Sequence, residues 1–336
     1  MTRLGLLFTC LLWMPVAVAG DDKLPSLSVG GLLFGDLYYV PSNHLEEGDG
    51  AAGLVVRRGY LTFDADFSEN WFGRLQFELN QSGEFETYTF EASFKDLYMG
   101  WNLGRQRLLL GLSPTPTFDL IESIWGMRYL ARTPMDLQGV ASRDTGISLK
   151  GPVNSSGTIA YRAMWGAGIE FGADSDDKSK WMGALTWKPE PKWTVDLYAD
   201  HESPPGKTDR TTLQAFVGYQ TDTLRWGMQY SHQDREEDPS LELASAFVRG
   251  RVGEKTKLVG RIDRLIQPSP KGNDISYLPF DPSAPATMFI GGLEFQASPH
   301  VFITPNTVLT RYDRNDEGVR PRTDFHLRLT LFINFE

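Results

Sequence analysis

Residues 323–336 read Thr-Asp-Phe-His-Leu-Arg-Leu-Thr-Leu-Phe-Ile-Asn-Phe-Glu. Phe325, Leu327, Leu329, Leu331, Ile333 and Phe335 fall on one side of an alternating pattern, and Asp324, His326, Arg328, Thr330 and Asn334 on the other. A helix face has no such period. The stretch has the length a tilted strand needs to cross a bilayer, with one side in hydrocarbon and the other in water. It predicts an outer-membrane β-barrel.

The opposite end supports that expectation. Arg3, the apolar run from Leu4 to Val16 and the small-residue site Ala17-Val18-Ala19 read as a signal peptide over 1–19. The run is too short to span a membrane. Cys10, the only cysteine, lies inside it without the small residues expected before an acylated cysteine, so a cleaved peptide is expected rather than a lipid anchor. Cleavage leaves residues 20–336 as one barrel domain with no disulfide, thiolate nucleophile or cysteine metal site. No cofactor or metal is expected. With 33 basic against 43 acidic residues, a nucleic-acid surface is disfavoured. No later apolar run is long enough for a membrane helix. A chain that spans lipid without helices must close its sheet, because unpaired edge groups cannot be left in hydrocarbon.

Period-two segments recur at 27–40, 53–67, 71–81, 89–102, 105–112, 143–150, 157–166, 180–188, 193–201, 211–221, 223–233, 241–252, 255–266, 287–297, 300–312 and 322–335. They predict an all-β fold, a transmembrane antiparallel barrel of 16 strands, the even number suiting ends that meet at one rim. Brief polar breaks at 68–70, 188–192, 221–223 and 253–254 contrast with longer ones near 41–52, 82–88, 172–179, 202–210, 234–240 and 267–286. The proline-rich 267–286 segment is expected to be an external loop. Aromatic residues near strand ends, among them Tyr38, Phe72, Tyr98, Trp101, Trp193 and Trp226, suit the boundary between hydrocarbon and headgroups.

Alternation also yields candidates for the water-facing wall: Arg58, Asp64, Asp66, Arg74, Gln76, Glu78, Arg225, Gln229, Gln233, Lys257, Arg261, Asp263, Asp324, His326 and Arg328. A lipid-facing Arg or Lys near the midplane costs about 2–4 kcal/mol, so these charges belong inside or at a rim. Arginine outnumbers lysine 22 to 11. Such arginines read first as structural partners of carboxylates and second as an oxyanion ladder. The segment 113–142 mixes Pro114, Pro116 and Pro134 with Phe118, Leu120, Ile121, Trp125, Met127, Tyr129 and Leu130. It is expected to fold into the lumen as a constriction, presenting Asp119, Glu122, Arg128, Arg132 and Asp136. A helix is expected over 119–131, capped by Asp119 and limited by Pro134. An external or subunit-contact loop is the alternative. Arg143 and Asp144 cannot point the same way in ideal strand geometry, so one tethers the constriction and the other belongs to the rim.

Residues 95–151 resemble the phosphate-selective porin O/P family and related Gram-negative general porins. The likeness rests on a strand with Tyr98 and Gly100, a strand with Gly111, a proline-containing loop with Glu122 and Arg132, and a return strand with Arg143, Gly146 and Gly151. That resemblance implies a sixteen-stranded barrel, usually trimeric, with an inward loop narrowing each pore. It also implies cationic residues along the solute path, matched here by Arg105, Arg107, Arg128, Arg132 and Arg143. Sparse lysines and the neighbouring acids depart from the strongly anion-selective pattern, so phosphate specificity is not carried over. The expected function is passive passage of small hydrophilic solutes or ions through the Gram-negative outer membrane, with an anion preference suggested by resemblance alone. A receptor or adhesion barrel, an outer-membrane hydrolase and a soluble β-sandwich are the competing readings. The chain is expected not to be an enzyme: it has neither GxSxG nor HExxH, and His44, His201, His232, His300 and His326 are scattered.

Overall fold

A computed structural model describes residues 25–81, 90–140, 142–168, 179–203, 208–236 and 238–335. The expected signal peptide and the break at 82–88 lie outside them, as does most of 172–179. Sixteen strands follow in order: β1 Ser26–Ser42, β2 Ala52–Asp66, β3 Trp71–Gln81, β4 Phe90–Leu103, β5 Gln106–Pro114, β6 Arg143–Pro152, β7 Ile159–Gly166, β8 Lys180–Trp187, β9 Trp193–Glu202, β10 Arg210–Gln220, β11 Leu224–Asp234, β12 Leu241–Arg251, β13 Thr256–Leu265, β14 Ala286–Ser298, β15 Val301–Tyr312 and β16 Asp324–Phe335. Every strand pairs antiparallel with its sequence neighbours, and β1 pairs with β16 to close the barrel. The closing ladder runs from Gly31 opposite Phe335 to Tyr39 opposite Leu327. Closure leaves no strand edge unpaired, which a bilayer demands.

The alternation read from residues 323–336 decides which way each side chain faces. Leu327, Leu329 and Leu331 are exposed on the outer face, whereas Asp324, His326, Arg328 and Thr330 are buried inside. Other strands repeat the division: Leu37, Leu185, Leu197, Leu213 and Met228 are exposed, while Asp36, Lys180, Asp196, Gln214 and Gln229 are buried. A continuous apolar exterior of this extent suits hydrocarbon rather than water. Trp71 stacks on Trp101 at 5.3 Å, and Trp193 packs edge-on against Tyr219 and Trp226, both groups beside short turns. The expected aromatic rows are therefore only partly outward. Tyr38 is buried with Val40, Val55 and Tyr277, and the Phe72 ring lies across Gly100 on the inner face.

Two of the four register shifts among the described strands change the charged inner wall. The β1–β2 register passes from Phe34 opposite Arg58 to Gly35 opposite Val56, leaving Arg57 over. The β3–β4 register likewise skips Lys95. A bulge re-aims its side chain. Arg57 and Arg58 consequently both point inward, as do Lys95 and Asp96.

The long connection between β5 and β6 carries α1, Phe118–Trp125, and α2, Pro134–Leu137. The expected helix over 119–131 is shorter than that. Thr117, not Asp119, is its N-cap, and Gly126 ends it in the left-handed region at φ 63°. Asp119 lies in the first turn, where a carboxylate favours the helix dipole. The apolar side of this connection is buried: Trp125, Met127, Tyr129 and Leu130 pack with Phe34, Tyr60 and Val259, and Ile121 and Ile124 pack with Phe216.

The β13–β14 connection corrects the expectation of an external loop at 267–286. Ile275, Leu278 and Phe280 are buried with Met135, Leu137 and Val140, and with Leu241, Leu243, Met288, Ile290 and Val308 of the strands. Apolar residues of this size leave water when a partner surface is within reach, and here the partner is the inner wall. One sector of the interior is therefore a dry core of two connections packed on β12–β15.

Candidate functional site

The charged inner wall divides into struts that hold the two connections and groups that remain open to water. Arg261 on β13 grips Asp263 through Nε at 2.9 Å and donates through Nη1 to the Arg132 carbonyl at 2.6 Å. Its guanidinium also lies over the Trp125 ring at 5.2 Å. Arg57 pairs with Asp36 at 2.7 Å and donates to the carbonyls of Tyr129 and Leu130. Arg328 donates to the Tyr277 carbonyl at 2.6 Å, and the Tyr129 hydroxyl donates to Glu294. The three arginines satisfy carbonyls that an irregular backbone would otherwise leave unpaired within the barrel. Arg261 and Arg328, expected as lumen residues, are thus inward but almost wholly covered.

Within the β5–β6 connection, Arg128 bonds Asp136 at 2.6 Å and Glu122 at 3.3 Å. Burial favours a neutral Asp136, but Arg128, Arg132 and Lys95 outweigh it and hold the carboxyl well below its usual range. Glu122 is pushed up by burial and by Asp136 despite Arg128. Arg132 is lowered by burial and by the nearby Arg58 and Arg128. Among the described residues it forms no ion pair. Enclosure raises the Asp119 carboxyl on α1 against the opposing charges of Arg143, Lys150 and Arg162, although its side chain stays open to water.

Across from α1, Arg74 pairs with Asp64 at 2.6 Å, the two side chains being 36% and 42% exposed. Arg58 pairs with Glu78 at 2.5 Å, and Lys95 lies 3.4 Å from the same carboxylate. Arg143 settles the question posed by the Arg143–Asp144 step. Its Nε bonds Asp96 at 2.6 Å and its guanidinium lies 4.6 Å over Phe118, so it ties wall to connection. Asp144 accepts from the Thr145 and Gly168 amides at the β7–β8 side. Arg107 faces inward near the short turns, over Phe72 at 5.6 Å. Arg105 does not join the others. It lies in the β4–β5 turn, at the barrel end opposite the β5–β6 connection, and donates to the carbonyls of Asn154 and Ser155.

Alternation did not select several inward charges. Arg57 and Lys95 needed the bulges. Arg162 with Asp196, Lys180 with Glu202 at 2.8 Å, and Arg249 with Glu294 at 3.1 Å sit on strands whose period was visible. Their phase relative to the flanking Trp181, Leu197 and Val248 was the available signal.

No protein-family model and no curated protein matches the sequence. Solved structures do. The anion-selective porin from Comamonas acidovorans is 13% identical, with a TM-score of 0.69 over 93% of this chain and 100% of its own. Outer-membrane expressed OmpT of Vibrio cholerae is 12% identical, with a TM-score of 0.63 over 94% and 99%. Salmonella typhi OmpF is 8% identical, with a TM-score of 0.63 over 93% and 98%. The fold is that of Gram-negative outer-membrane porins in general, rather than of the phosphate-selective O/P group in particular.

Proposed function

We propose that this chain is a passive channel of the Gram-negative outer membrane for small hydrophilic solutes, narrowed by the β5–β6 connection and preferring anions. The observation that carries the reading is the two-faced closed wall: apolar outside, charged inside, with Arg74 and Asp64 still reached by water. Solutes cross through that water, and Asp119 on one side with Arg74, Arg143 and Lys150 on the other impose the charge cost. Arg132, which lacks an ion pair among the described residues, adds positive potential beside the connection. The protein acts without catalysis, cofactor or metal. In this reading His44, which engages Asp324 through Nδ1 at 2.9 Å and Asn273 through Nε2 at 2.8 Å, is structural. Three copies assemble in the lipid, a reading that leans on the porin likeness and on the trimer form described for Vibrio cholerae OmpT.

The dry sector filled by two connections favours a second reading, a barrel with a closed lumen that serves recognition. Reconstitution of the protein in planar bilayers separates the two. The channel reading expects reproducible open steps in groups of three and a reversal potential on the anion side under a salt gradient. A folded, inserted barrel without conductance overturns it in favour of the closed one.

A further inference from the structure

We propose that Phe302 and Phe332 form a stacking platform for aromatic carboxylates at the short-turn mouth of the barrel. The inference deepens the channel reading, on which it rests, by naming a class of solute. Its basis is a change of chemistry along the inner wall. The β15–β16 register sets Thr304 opposite Thr330 and Asn306 opposite Arg328, all buried polar side chains of the inner face. Nearer the short turn that precedes Val301, the same register sets Phe302 opposite Phe332. Period two puts both rings on the inner face, where the strands otherwise carry polar groups.

The protein already stacks one ring there. Tyr129 of the β5–β6 connection lies parallel to Phe332, with centroids 4.4 Å apart and planes 3° from each other. Phe302 leans on Phe332 at 5.7 Å and 33°. Tyr129 is buried by this packing, whereas Phe302 and Phe332 are only half-buried. Their remaining ring surface faces water, which favours an apolar partner that covers it.

The neighbouring charge selects that partner. Lys257 Nζ lies 5.8 Å from the centre of the Phe302 ring. Lys257 and Arg249 both bond Glu294 Oε1, at 2.8 and 3.1 Å, so two cations share one carboxylate. A solute with a flat ring and a single carboxylate complements both features. Its ring packs offset or edge-on against the two phenylalanines, and its carboxylate accepts from the Lys257 ammonium. An aliphatic carboxylate of the same charge gains only the second contact, and a saturated ring lacks the flat face.

Sodium benzoate and sodium cyclohexanecarboxylate, alike in charge and ring size, are the probes, each titrated calorimetrically into the folded protein in detergent. Conductance is recorded separately in bilayers. Wild type is expected to bind benzoate about three- to tenfold more tightly than the saturated ring, the scale of one aromatic contact. Phe302→Leu and Phe332→Leu, which keep an apolar side chain without a ring, are expected to erase that preference. Heat-modifiable migration checks that each variant folds; if Phe332→Leu does not, having lost the Tyr129 stack, Phe302→Leu decides alone. Equal affinity for the two probes in wild type, or a preference unchanged in Phe302→Leu, overturns the platform. A ring preference in a barrel that does not conduct sinks the channel reading and leaves the platform standing. Conductance without a ring preference does the reverse.

Discussion

Arg261 Nη1 donates to the carbonyl oxygen of Arg132 at 2.6 Å, joining a strand on one side of the barrel to the connection that leaves β5 on the other. The same guanidinium neutralises Asp263 with two more donors. Replacing Arg261 by Met removes both supports and leaves Asp263 buried without its cation. A loss of about 3–5 kcal/mol is expected from breaking a buried pair on one side. Urea unfolding from lipid vesicles measures it, and single-channel current in the variant should become noisier. A quiet variant of unchanged stability would contradict the strut.

Arg128 and Arg132 are neighbours in sequence with different roles. Arg128 compensates Asp136 and Glu122, so Arg128→Gln is expected to unsettle the connection itself. Arg132 carries charge without an ion pair among the described residues, so Arg132→Gln should leave stability within about 1 kcal/mol and move the reversal potential towards cations. The double variant should show both effects. An unchanged reversal potential in Arg132→Gln removes it from the charge filter.

His44 latches three segments at the long-loop rim: its own loop, Asp324 at the start of β16, and Asn273 of the β13–β14 connection. Tyr312 packs on its ring edge-on at 5.7 Å. Burial disfavours the charged ring, but Asp324, Asn273 and Asp281 outweigh it, and the value rises above 6.5. A raised value means that folding favours the protonated form. The stabilisation is complete below pH 6.5 and is lost as the pH climbs through the folded-state value. Wild type should therefore lose stability relative to His44→Gln across that interval. Parallel curves for the two proteins would show that the latch does not titrate.

The second infolded connection gives a test of packing. Phe280 is 2% exposed in the core that joins this connection to Leu137 and Met288. Phe280→Ala is expected to cost about 3–5 kcal/mol. An external loop would tolerate it with almost no change, and thermal unfolding distinguishes the two.

Leu37 and Leu329 are opposed across the β1–β16 closure and both face outward. Leu329→Arg should cost about 2–4 kcal/mol in a bilayer, with little change in detergent folding yield. A neutral result in vesicles would place this face away from hydrocarbon.

The strand set was legible because a sheet repeats every two residues. Residues 323–336 and 71–81 announce their inner and outer faces without reference to any other segment. Closure followed from the absence of membrane helices. The helix α1 was half legible: Pro134 and the apolar spacing were visible, but its stop at Gly126 depends on a left-handed backbone step. The 267–286 segment was misread because its prolines outweighed Ile275, Leu278 and Phe280, the same mixture that marked 113–142 as infolded. Arg57 and Lys95 were invisible for a different reason. A bulge is a property of two strands in register, and neither strand records it alone.

By itself, then, the sequence determined the strand faces and the closed all-β wall, since these are local and periodic, and it placed the strand count at sixteen to within two. Only the tertiary structure decided which charges stand in water and which are spent on holding the interior together. Arg74 and Arg261 look alike in their strands, yet one remains over a third exposed and the other is bound to Asp263 and a carbonyl 129 residues away. That difference is set by what folds back across the barrel, and distance along the chain carries no signal of it.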